Sequence, residues 1–213
     1  MYQVGGVFSD VEVEPGSNIL VAGPAMTGKY NLALDILAEG TTAGEGAIVV
    51  STKNDADRIQ SDFAAHDGGA GPLGIVDCVS KQQGMEPMPE TDLVKYVSSP
   101  VDLTGIGIEL SELLRTFVQV QGVAQNRILL HSVSTLLMYS NLQTVFRFLH
   151  VFTGRVQSAD ALGVFVIDST AHDAQTISTL KQLFDGVIEV DESDEGTRVR
   201  LVGIGDDRKW RSL

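Results

Sequence analysis

Cysteine is almost absent from this chain. Cys78 is the only one in 213 residues, which excludes an internal disulfide and any cysteine-based zinc site. Long apolar runs are missing too, since none approaches the ~20 residues of a membrane span. The first residues, Met1-Tyr2-Gln3-Val4, have neither the basic start nor the apolar core of a secretory signal. A cytoplasmic protein without a membrane partner is expected. Basic charge is scarce, with 15 Lys and Arg against 28 Asp and Glu and a formal net charge of −13. Such a surface repels nucleic acid and offers it no basic stripe, so nucleic acid is not an expected partner. The acidity is spread along the chain rather than gathered in a tail. That pattern favours adaptation to high salt, where repulsion is screened, over a merely acidic protein. Hydrophobic residues make up 43% of the chain, enough for a sizeable core, and the length fits one domain over 1–213.

Short apolar runs recur between helical patterns. Strands are predicted at Asn18–Ala22, Ala47–Ser51, Gly74–Val79, Arg127–Leu130, Val164–Ile167, Gly186–Val190 and Thr197–Val202. Helices are predicted at Lys29–Ala38, Asp55–Ala64, Ile108–Gln121, Asn141–Val156 and Ala174–Leu183. Continuous apolar strands alternating with helices imply an α/β fold, a mostly parallel sheet covered on both faces. The acidic turn Asp191-Glu192-Ser193-Asp194-Glu195-Gly196 between the last two strands reads as a hairpin with an antiparallel edge. Lys81–Gly107, with Gly84, Pro87, Pro89, Ser98, Ser99, Pro100 and Gly105, is expected to be a long loop, either functional or a solvated connector.

One segment carries chemistry. Gly23-Pro24-Ala25-Met26-Thr27-Gly28-Lys29-Tyr30 fits the phosphate-binding pattern G-x-x-x-x-G-K-[S/T] at every fixed position but the last. It follows a predicted strand and opens a predicted helix, the setting the motif needs. Its backbone N–H groups and Lys29 suit a phosphate. The last position normally supplies the hydroxyl that holds Mg²⁺. Tyr30 stands there, with its phenol far out on a rigid ring.

Together these segments resemble the RecA-like ATPases, and within them the KaiC-like branch, over nearly the whole chain. Val13–Pro24 is similar to that branch's approach to its phosphate loop, and Gly44–Ser51 to its next strand. Arg127–Leu136 is similar to its metal-site strand, and Leu183–Val190 to the strand that opens its closing hairpin. The resemblance implies a RecA-like fold, ATP or another nucleotide as ligand, and protein partners, either self or an active RecA-like homologue. The departures lie at catalytic positions. Family glutamates that activate water are replaced by Ser51-Thr52-Lys53-Asn54, with Asp55 and Asp57 displaced beyond. The metal-site aspartate is replaced by His131, and the late Lys-x-Arg by Gly203-Ile204-Gly205. Phosphoryl transfer relies on metal, positioning and charge, and losing one electrostatic stabiliser costs ~10²–10³ in rate. Four altered positions imply a pseudo-ATPase, like one of salt-adapted archaea, with no catalytic residues and Mg²⁺ weak or absent.

Tyr30 and His131 are expected to face each other across the vacated metal site, with a hydrogen bond available between them. Asp168, at the end of Val164–Ile167, matches the next strand of the sheet; the rival reading makes it a water-mediated magnesium ligand. Either way it lies at a strand's carboxyl end, where open α/β sheets bind ligands. The expected nucleotide site is therefore Gly23 to Tyr30 with His131 and Asp168. His66, His131, His150 and His172 are widely separated and predict no zinc site. Ser132 and Ser134 lie in no nucleophile elbow. Cys78 reads as core, and Trp210 as cover for a sheet edge or an anchor for a partner. The leading expectation is a non-catalytic regulatory protein that binds nucleotide and acts by association. Its rivals are a slow ATPase using Lys29 and Asp168, and a structural subunit that modulates an active RecA-like partner.

Overall fold

The structure, a computed structural model, describes residues 1–66, 69, 71–85, 89–194, 196–205 and 208–213. Pro87 and Glu195, named above, lie outside the described residues. Strands β1 (Tyr2–Gly5) and β2 (Phe8–Val13) form a two-stranded antiparallel ribbon. The main sheet holds β3 (Asn18–Gly23), β4 (Gly46–Ser51), β5 (Leu73–Asp77), β6 (Val94–Tyr96), β7 (Asn126–His131), β8 (Leu162–Asp168), β9 (Gly186–Ser193), β10 (Gly196–Val202) and β11 (Arg211–Ser212). Its order is β11-β10-β9-β3-β8-β7-β4-β5-β6. From β9 to β6 every pairing is parallel, and β10 and β11 add an antiparallel edge.

The helices are α1 (Lys29–Thr42), α2 (Ala56–Ala64), α3 (Ser80–Gln83), α4 (Leu103–Arg115), α5 (Val133–Tyr139), α6 (Leu142–Ser158) and α7 (Ala174–Lys181). Strand side chains alternate between two cores, as a pleated strand requires. Ile19, Val21, Val49, Leu129 and Val164 join α1, α2 and the β1–β2 ribbon on one face. Leu20, Ile48, Val50, Leu130 and Phe165 join α4 to α7 on the other. Both faces being covered explains why these strands read as unbroken apolar runs. Each fully buried Val, Leu or Ile contributes about 1.5–3 kcal/mol, so these faces dominate the fold's stability.

All seven predicted strands form. Two expectations need correction. Lys81–Gly107 is not a loop throughout: α3 ends in it, β6 pairs with β5 in register Ile75↔Val94, and α4 begins at Leu103. Asp102 causes that early start by accepting the Gly105 N–H at 2.9 Å, so α4 begins well before Ile108. At its far end α4 passes into a π-helical turn, Thr116–Val120. No helix among the described residues is long and apolar enough to cross a membrane.

Candidate functional site

β3 runs fully buried into Gly23, whose backbone packs against β9. A Cβ there would lie 2.5 Å from the Val190 carbonyl oxygen, so glycine is required for strand packing. The turn then exposes Met26 completely and reaches Gly28 at φ +76°, a left-handed conformation that favours glycine. No side chain caps α1 at Gly28. Its first N–H groups are therefore without a side-chain partner, at the positive end of a fourteen-residue helix.

Lys29 is 7% exposed. Its ammonium curls into the loop and donates to the Pro24 carbonyl and, at 3.4 Å, to Thr27 Oγ1. Burial pushes its pKa down, an effect that Asp168 opposes and Lys53 reinforces. Thr27 Oγ1 donates in turn to Pro24 O at 2.9 Å.

Tyr30 and His131 stack, with ring centroids 4.2 Å apart and planes 20° from parallel. The hydrogen bond expected between them does not form. Tyr30 Oη and His131 Nδ1 are both buried without a partner. Asp62 and Asn54 lie close enough to bias the phenol, yet neither meets hydrogen-bond geometry with it. Burial raises the Tyr30 pKa. Burial, then the Lys53 charge, pushes His131 down to about 4, so its imidazole is neutral at pH 7. This pair does not fit a magnesium ion. Mg²⁺ demands hard oxygen ligands in near-octahedral array, and the place holds a protonated phenol and a neutral imidazole.

β8 ends beside the loop, with Asp168 opposite Gly23 in register. The Asp168 carboxylate accepts from Thr170 N at 3.2 Å and Thr170 Oγ1 at 2.9 Å. β4 and β7 end side by side, Ser51 opposite His131. Thr52 ties them, accepting from Ser132 N at 2.7 Å and donating to Ser132 O at 2.9 Å. The ends of β3, β4, β7 and β8 thus enclose a cavity of about 260 Å³. The predicted residues Ala25 to Tyr30, His131 and Asp168 all line it; Gly23 and Pro24 do not. Gly23 is committed to Val190, and Pro24 contributes only the carbonyl that holds Lys29.

Lys53 lines the same cavity and was missed. The sequence marks it only as the loss of a family glutamate; the gain of a cation beside Lys29 depends on how β4 meets β7. Lys53, Ser132 and Asp168 also wall a second cavity of about 370 Å³, which extends to Gln82, Gln83 and Tyr139. Asp55 lies outside the first cavity and caps α2, accepting the Arg58 N–H at 2.8 Å. His66 pairs with Asp35 at 2.6 Å, and His172 Nε2 meets Ser134 Oγ at 2.9 Å. Cys78 is fully buried. The Arg198 and Arg200 guanidiniums each lie 4.6 Å from the Trp210 ring, which packs it against side chains on one face of β10.

A family model described as a family of unknown function, DUF7504, matches residues 16–190. No curated protein matches the chain. Among solved structures, an uncharacterized protein of Pyrococcus horikoshii, PH0321, crystallised in complex with an unknown peptide, is similar at 16% identity and a TM-score of 0.67. That match covers 90% of this chain and 84% of PH0321. The KaiC-like protein PH0186 of the same archaeon is similar at 12% identity and a TM-score of 0.59, covering 93% of this chain and 82% of PH0186. At these identities the likeness is one of fold, a RecA-like and KaiC-like α/β architecture.

Proposed function

This chain belongs to the DUF7504 family of unknown function, and we propose that it is a non-catalytic, KaiC-like regulatory protein. It binds the phosphates of a nucleotide at the Gly28–Lys29 loop and acts by associating with a protein partner. The observation that carries this reading is the Tyr30–His131 stack, two rings 4.2 Å apart where an active relative places a hydroxyl and a carboxylate around its metal. The uncapped N-terminus of α1 and the buried Lys29 support retention of phosphate affinity. The four altered positions argue against hydrolysis. A slow ATPase is the second reading, supported by Asp168, the one carboxylate lining the cavity among the described residues and a charge that opposes the downward push on Lys29.

Calorimetric titration with ATP, paired with phosphate release from the same protein in molar salt, separates them. Binding with negligible turnover is expected. Sustained turnover of about 1 s⁻¹, abolished by Lys29→Ala, would establish the ATPase instead. Absence of both would leave a purely structural subunit.

A further inference from the structure

Lys53 is out of place in two respects. The chain has a formal charge of −13 and only six lysines, yet two of them, Lys29 and Lys53, line one cavity of about 260 Å³. Among the others, Lys81 donates to the Tyr96 carbonyl, Lys95 pairs with Glu112 and Lys181 with Glu189. Lys53 makes no hydrogen bond or ion pair with any described residue. The Lys53 charge reinforces the downward push that burial gives Lys29, so the two ammonium groups repel across the cavity and an anion between them would relieve that repulsion. Among the described residues Asp168 is the only carboxylate on the cavity wall, and Thr170 already occupies its Oδ1.

A further observation points into the same space. His131 is 5% exposed, lines the cavity, and leaves Nδ1 without a partner. Buried polar atoms are nearly always paired, so an unpartnered imidazole nitrogen on a residue that lines a cavity calls for an explanation, and a ligand in that cavity supplies one. A neutral imidazole there offers an N–H to a phosphate oxygen without adding charge.

Resting on the nucleotide reading above, we propose that Lys53 is the second cation of this site and takes the place of the divalent metal. Lys29 and the α1 N-terminus hold one end of a polyphosphate, and Lys53, two residues past the end of β4 where it pairs with β7, neutralises the other. Two ammonium groups supply the charge that Mg²⁺ supplies in a phosphate loop of the ordinary kind. The position that lost a water-activating glutamate has then gained a binding group, which suits a protein that holds a nucleotide without cleaving it.

Equilibrium titrations of ATP and of inorganic pyrophosphate, each in EDTA and in excess MgCl2, test this on the full chain and on Lys53→Ala, Lys53→Glu and Lys53→Arg. Lys53 is exposed, and unchanged thermal unfolding of the variants checks their fold. The unaltered chain is expected to bind ATP in EDTA within about threefold of its affinity in Mg²⁺. Lys53→Ala is expected to weaken binding in EDTA about tenfold, Lys53→Glu further, and Lys53→Arg little. ATP binding that requires Mg²⁺, or that ignores Lys53→Ala, overturns the inference and leaves the nucleotide reading standing. Pyrophosphate binding without ATP binding, still sensitive to Lys53→Ala, keeps the role of Lys53 and overturns the nucleotide. Binding of neither overturns both.

Discussion

At its amino end β7 carries Arg127, 1% exposed, whose guanidinium donates to both Glu45 carboxylate oxygens at 2.6 and 3.3 Å and to the Ile36 carbonyl at 2.6 Å. The Tyr2 ring lies 5.7 Å away, and its hydroxyl links Asn126 N to the Asp160 carbonyl. At its carboxyl end, four residues on, the same strand carries His131, almost as buried, with an unpaired Nδ1 and a stacked phenol for company. One end has its charge compensated from three directions; among the described residues Asn126 Oδ1 is its only orphan side-chain atom. The other gathers two lysines, an imidazole and one carboxylate around open space. Paired polar groups of the first kind fix a fold. Unpaired groups of the second kind cost stability.

The comparison is sharpest at Arg127. Arg127→Met leaves the Glu45 carboxylate buried and uncompensated, which costs about 3–5 kcal/mol. Urea unfolding is expected to show that loss, and the double change Arg127→Met with Glu45→Leu to recover most of it, because replacing both partners removes the stranded charge. A single variant with no more than a surface-site cost would mean the amino end does not hold the fold as described.

The second effect is a pH dependence at the other end. The folded pKa of His131 is about 4, below its ordinary 6.5. The unfolded chain therefore takes up the proton first as pH falls, and His131 favours the folded state in full only above about pH 6.5. Between pH 6.5 and 4 this residue withdraws on the order of 3 kcal/mol of stability. His131→Gln is expected to flatten that part of the stability curve. Parallel curves for the two proteins over this range would show that His131 does not stay neutral inside the fold.

The fold was legible because its strands are covered on both faces, so unbroken apolar runs such as Asn18–Gly23 and Leu162–Asp168 stand out. β2 was not, because Ser9, Asp10 and Glu12 are all exposed, which breaks the clean alternation of apolar and polar positions, and its apolar positions are few. β6 has three residues and β11 two, and both are strands by pairing with a neighbour rather than by local pattern. The loop, Tyr30, His131 and Asp168 were legible from motif and order. Lys53 was not, because a sequence gives a residue's place in its own segment but not which strand ends converge. Arg127 and Glu45 were missed for the same reason, being 82 residues apart.

The central claim is that Tyr30 and His131 together take the space and the ligand positions of a metal. Its most direct test is the Mg²⁺ dependence of ATP affinity, measured by titration in the unaltered chain and in Tyr30→Thr with His131→Asp. The unaltered chain is expected to show almost none. The double variant, which restores a hydroxyl and a carboxylate, is expected to bind ATP about tenfold more tightly in Mg²⁺ than in EDTA. A folded double variant whose affinity ignores Mg²⁺ would show that these two side chains are not what replaced the metal.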